Sequence, residues 1–101
     1  MSDAAGERER RIVDVLMALQ EGEVTTYGDI AEVAGYPGRA RLVGRILGST
    51  EEEVPWWRVV NSAGRLVPGH EGAQSELLRE EDVIVRNGRV VEAPVGRFSH
   101  L

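Results

Sequence analysis

The chain has 101 residues, none of them cysteine or lysine. Without cysteine there can be no disulfide, no Cys-ligated zinc, no iron–sulfur cluster and no thiol nucleophile. Histidine is nearly absent: His70 and His100 stand too far apart to form a helical metal pair. Neither a metal nor a cofactor is expected. No apolar run approaches the ~18 residues that a membrane span needs. The opening MSDAAGERERR carries no apolar segment of the signal-peptide kind. The expected compartment is therefore the cytoplasm, with a place on the nucleoid in a bacterium. Neither an internal repeat nor a low-complexity stretch is present.

What is there is one domain's worth of ordinary globular composition, 42% hydrophobic and 29% charged. The net charge of −5 argues against nucleic acid as a partner of the whole surface. The distribution argues otherwise, because residues 36–50 hold Arg39, Arg41 and Arg45 and no acid. A basic patch on an acidic body can face phosphates. All twelve cations are arginine, the residue suited to stacking and forked hydrogen bonds. For most of the twelve, genomic base composition is the simpler reading.

Hydrophobic spacing predicts a helix from Glu7 to Gln20, stopped by Gly22. Residues 1–7 are expected to be a flexible N-terminus, and 8–101 a single domain. Thr26 reads as an N-cap with Asp29 three residues on, an approximate capping box. The helix it opens runs from Tyr27 to Ala34, ended by Gly35. After the Pro37-Gly38 turn a second helix runs from Arg39 to about Gly48. Two short helices across a tight turn read as a helix-turn-helix. Glu51, Glu52 and Glu53 read as a solvated loop. Val59-Val60 reads as a buried strand, Ser62-Ala63-Gly64 as a turn, and Arg65-Leu66-Val67 as the returning strand. A short helix is predicted over 73–81, with Leu77 and Leu78 inward. VIVRNGRVVE then reads as a hairpin, since Asn87-Gly88 suits a type I′ turn. The fold class is α+β: a small winged-helix-like domain with a helix-turn-helix and short β-hairpins.

The least ordinary segment is VPWWRVV. Adjacent tryptophans in a strand would point to opposite faces; after Pro55 they can occupy a turn instead. Taken in order, VTTYGDIAEVAGYPGRARLVGRIL, VPWWRVVNSAGRL and LLREEDV resemble the C-terminal domain of O6-alkylguanine-DNA alkyltransferases, over roughly residues 8–90. Those enzymes read Pro-Cys-His-Arg-Val, and the Cys accepts the alkyl group. Trp56 stands in its place here, which resembles the non-enzymatic alkyltransferase-like branch, usually Pro-Trp-His-Arg-Val. Trp57 replaces the His, so the relay that deprotonates the Cys is lost. Glu81 matches the relay Glu but is left without both partners, and reads as a helix-end or salt-bridge carboxylate.

The resemblance implies binding of duplex DNA carrying alkylated guanine, without alkyl transfer. An indole is no nucleophile at neutral pH, and no cysteine can substitute for it. The lesion would leave the base stack, at a cost of a few kcal/mol. Arg41 matches the residue that fills the vacated space, and Tyr27 the residue that helps rotate the nucleotide. Thr26, Arg39, Ala40, Leu42, Gly44, Arg45 and Arg65 complete the expected DNA face. Leu47, Trp56, Trp57 and the Val59 carbonyl would line the alkylguanine pocket with Tyr27. Pro55, Arg58 and Asn61 would support the motif, Asn61 by holding its turn. The 65–72 loop departs from relatives that carry Lys and Arg there, since it has only Arg65; His70 reads as a solvated loop residue. The implied partners are damaged duplex DNA and nucleotide excision repair proteins, the protein itself a monomer. Two other classes remain. A winged-helix regulator would read undamaged DNA, although the second helix carries no Asn or Gln for base edges. A residual transferase or hydrolase would need a nucleophile that the chain lacks.

Overall fold

The computed structural model describes residues 3–100. Helix α1 spans Ala4–Met17, and Asp3 caps it by accepting from the Gly6 N–H at 2.9 Å. The helix thus begins three residues before Glu7, and residues 4–7 of the expected loose tail belong to its first turn. Met1, Ser2 and Leu101 lie outside the described residues. α1 buries Ile12, Val13 and Leu16 along one stripe. Strand β1 (Glu23–Thr26) leads directly into α2 (Tyr27–Val33), and α3 (Ala40–Ser49) follows after the Pro37-Gly38 turn. A 3-10 turn at Trp56–Arg58 leads into β2 (Val59–Val60). Then come α4 (Glu71–Glu80), the β3–β4 hairpin (Ile84–Arg86, Arg89–Glu92) and β5 (Val95–Gly96).

The pairing of β2 differs from the expected hairpin. β2 runs parallel to β1, with Thr25 opposite Val59 and Thr26 opposite Val60. Arg65-Leu66-Val67 does not return along it; Arg65 instead bridges to Arg89 of the second hairpin. The reason lies in burial on both faces. Val59 packs into the core beneath α1, α2 and α3, and its neighbour Val60 packs into a second core with Leu66, Leu78, Val85 and Val90. A strand buried on both sides suits a parallel neighbour. β5 completes this sheet on the other edge of β1. The Asn87-Gly88 turn is as expected, with φ of 52° and 73°. Gly64, at φ 81°, has no room for a side chain: a Cβ there would stand 3.1 Å from the Val90 carbonyl oxygen.

In α4 the inward residues are Gln74 and Leu78, while Leu77 is only partly covered. The Gln74 side chain accepts from Val67 N–H at 2.7 Å and donates to the Trp57 and Val59 carbonyls, each at 3.1 Å. One amide therefore ties the 65–70 loop, the 3-10 turn and β2 together.

Candidate nucleic-acid interface

α3 is strongly two-sided. Leu42, Val43 and Ile46 are buried, whereas Arg41, Gly44, Arg45 and Gly48 face solvent. Arg41 makes no ion pair or side-chain hydrogen bond with any described residue. Glycines on the outer face leave it flat: at Gly44 and Gly48 an added Cβ would meet nothing within 4 Å. Beside this face lies a cavity of about 550 Å³ lined by Tyr27, Gly44, Leu47, Gly48, Trp56, Val67 and His70. Its mouth adjoins the start of α2, where Tyr27 sits half-buried. Burial raises the Tyr27 hydroxyl above its ordinary value, so it stays neutral and can donate to an oxygen.

The 3-10 turn sets the two tryptophan rings edge to face against each other. Their centroids are 6.3 Å apart with planes at 90°. The Trp56 indole forms one wall of the cavity, with the His70 ring against it at 5.9 Å. Trp57 leaves the cavity for the second core and donates its indole N–H to Glu81 Oε2 at 2.7 Å. Its expected place in the pocket is thus corrected: the polar end of the indole is drawn to a carboxylate on the far side of the turn.

Glu81 is the anchor of that turn. Arg58 donates to both of its oxygens at 2.9 Å and also to the Leu19 carbonyl at 3.0 Å, and the Gly22 N–H reaches Oε1 at 2.8 Å. The Arg58 guanidinium also lies over the Trp57 ring, 5.3 Å from its centroid. Burial pushes the Glu81 carboxyl up, but the hydrogen bonds from Arg58, Gly22 and Trp57 outweigh it and hold it below the ordinary carboxylate range. Glu81 is therefore a fully engaged structural carboxylate, the expected salt-bridge residue at the end of a helix, and Arg58 ties the motif to it. Asn61 holds its turn: Oδ1 accepts from Ala63 and Arg65 N–H at 3.0 and 2.8 Å. Pro55 is buried and accepts the Arg58 N–H.

Two more expected positions need correction. Thr26 is buried and its hydroxyl accepts from Asp29 N–H at 3.1 Å, so its side chain caps α2 and does not face outward. The capping box is half formed, because the Asp29 carboxylate turns to Arg97 at 2.9 Å instead. Leu42 belongs to the core beneath α3. Val59 is fully buried, and its carbonyl accepts from the Gln74 amide at 3.1 Å. Of the remaining expected face, Arg39, Arg45 and Arg65 are exposed and Ala40 half-exposed. His70, Val67 and Gly48 line the cavity without having been expected there. Their recruitment depends on the 65–70 loop folding back onto Gln74, for which no local sequence signal exists.

The family model described as 6-O-methylguanine DNA methyltransferase, DNA binding domain, matches residues 7–83. The chain belongs to this family. Among its relatives, a DNA base-flipping protein of Escherichia coli K12 is 37% identical over 86 residues, covering 80% of the chain and 67% of that protein. Another DNA base-flipping protein, from Vibrio parahaemolyticus, is 48% identical over 58 residues, 55% of the chain and 58% of that protein. The chain thus spans less than two thirds of the Vibrio protein's length. The crystal structure of Schizosaccharomyces pombe Atl1 in complex with damaged DNA containing O6-carboxymethylguanine superposes with a TM-score of 0.72 at 34% identity, covering 80% of the chain and 81% of Atl1. This family membership accounts for the α+β architecture. Within the family, the position that resembles the alkyl-accepting Cys carries Trp56, and the chain holds no cysteine elsewhere.

Proposed function

We propose that the protein binds O6-alkylguanine in duplex DNA and holds it flipped without removing the alkyl group. α3 would lie along the minor groove with Arg41 entering the stack, and the lesion would occupy the cavity beside it. The observation that carries this reading is the Trp56 wall of that cavity in a chain without cysteine. A flat apolar face receives an alkylated base and offers no electron pair for displacement at carbon. Base–aromatic contact of ~1–3 kcal/mol offsets much of the flipping cost. The base-flipping relatives and the Atl1 complex with damaged DNA support the same reading. The protein acts as a monomer in the cytoplasm, and the retained lesion is a flag for nucleotide excision repair.

The test is fluorescence anisotropy of a duplex with one O6-methylguanine against the same duplex with guanine, at fixed salt. The expected result is tighter binding to the lesion, quenched tryptophan emission and an unchanged base afterwards. Trp56→Ala should weaken lesion binding by about 5- to 150-fold, as ~1–3 kcal/mol of stacking implies, and Arg41→Ala should likewise lose selectivity. Alkyl transfer, or base release, would overturn the reading. Tight binding to one undamaged sequence would favour a regulator.

A further inference from the structure

Outside the lesion cavity, Arg8, Arg39 and Arg45 converge on a cleft of about 280 Å³ between α1 and α3, floored by Leu42 and Ile46. Each of the other arginines of α1 has a carboxylate: Arg10 pairs with Glu52 at 3.0 Å, and Arg11 with Glu7 at 3.1 Å. Arg8 has none among the described residues. Its Nε is shielded from solvent and has no hydrogen-bond partner among them. Arg39 and Arg45 likewise make no ion pair with any described residue. The one carboxylate lining the cleft, Glu9, is exposed and pairs with none of them. A shielded donor without an acceptor is costly, and an oxygen brought into the cleft would relieve it. The apolar floor strengthens whatever charge interaction forms above it. Three forked donors around a small cleft match the oxygens of a phosphate.

The cleft lies on the flank of α3 away from the lesion cavity. Leu42, Arg45 and Ile46 share one side of the helix, and Gly44, Leu47 and Gly48 the other. A helix about 10–12 Å across exceeds a minor groove about 6 Å wide, so the flanks of a seated helix meet the phosphate backbones. We propose that the cleft between α1 and α3 holds one backbone phosphate of the bound duplex, with Arg8, Arg39 and Arg45 as its donors. This rests on the reading of α3 as the DNA-facing helix. It extends the DNA footprint to α1, and Arg8 is its distinguishing residue.

The experiment compares wild type with Arg8→Met on O6-methylguanine and guanine duplexes across a salt series. Loss of one phosphate contact should make the slope of log K against log[salt] shallower by roughly 0.9. The loss should be the same for both duplexes, leaving lesion discrimination unchanged, because a phosphate contact carries no base information. A measurement on the wild-type protein makes the test independent of how the variant folds: the Arg8 Nε–H resonance should move when duplex is added. A folded Arg8→Met with an unchanged slope would overturn the proposal. So would an Arg8 resonance that responds to inorganic phosphate alone and not to duplex. If wild type binds both duplexes equally, the lesion reading fails, yet the slope difference still decides the phosphate site.

Discussion

Glu81→Ala is the substitution from which the structure predicts the largest local loss. The carboxylate receives Trp57 Nε1 at 2.7 Å, Gly22 N at 2.8 Å and Arg58 Nε and Nη2 at 2.9 Å. The side chains of Arg58 and Glu81 are 15% and 8% exposed, so little water can replace what is removed. Arg58 would keep its bond to the Leu19 carbonyl but lose its counter-charge. Removing one partner of a buried pair costs about 3–5 kcal/mol, chiefly because the other charge stays buried and unanswered. Domains hold only about 5–15 kcal/mol in total, so the variant should remain folded but marginal. With a urea slope of about 1.5 kcal/mol per molar, the unfolding midpoint should fall by about 2–3 M. Tryptophan emission is the natural probe, since Trp56 and Trp57 are the only tryptophans in the chain. Both stand on the turn that Glu81 anchors. A midpoint shift below about 0.5 M would refute the assignment of Glu81 as the anchor, since the worked cost would then be several times too large.

Further expectations follow from the same contacts. Because hydrogen bonding holds Glu81 below its ordinary value of 4.5, its contribution to stability is complete above that value and is lost as pH falls through the lowered one. Urea midpoints of wild type and Glu81→Ala should therefore converge on acidification from pH 6 towards pH 3, and a constant gap would contradict the linkage. Gln74→Met keeps the volume but removes the acceptor of the Val67 N–H and one donor to each of two carbonyls. It should cost about 2–4 kcal/mol by chemical denaturation and weaken lesion binding through the displaced 67–70 loop; undiminished lesion affinity would detach that loop from the site. Gly44→Ala meets no atom within 4 Å and should stabilise α3 by about 0.5–1 kcal/mol. It should at the same time weaken DNA binding measured by anisotropy, and equal or better binding would show that α3 does not need its flat face.

The helix-turn-helix, the Asn-Gly hairpin and the exposed Arg41 were legible in the sequence because they depend on local spacing. A cap, a positive-φ turn and a helical stripe are decided within a few residues. β1 and β5 were not legible: each is short, and each exists only because a parallel neighbour distant in sequence completes its hydrogen bonds. The same holds for Leu42, whose position beside Arg41 in sequence puts it about 100° away around the helix and into the core.

The residue types by themselves decided what chemistry is impossible here. A chain without cysteine cannot take up an alkyl group by thiolate displacement, whatever its fold. Which tryptophan lines the cavity was a tertiary decision. Trp57 turns inward because its N–H finds Glu81, which is 24 residues away in the chain. Trp56, without such a partner among the described residues, stays at the cavity wall with His70 beside it. Local patterns set the elements, whereas the buried carboxylate and the Gln74 amide set where the cavity lies, because unpaired polar groups inside a small domain cost too much to leave unsatisfied.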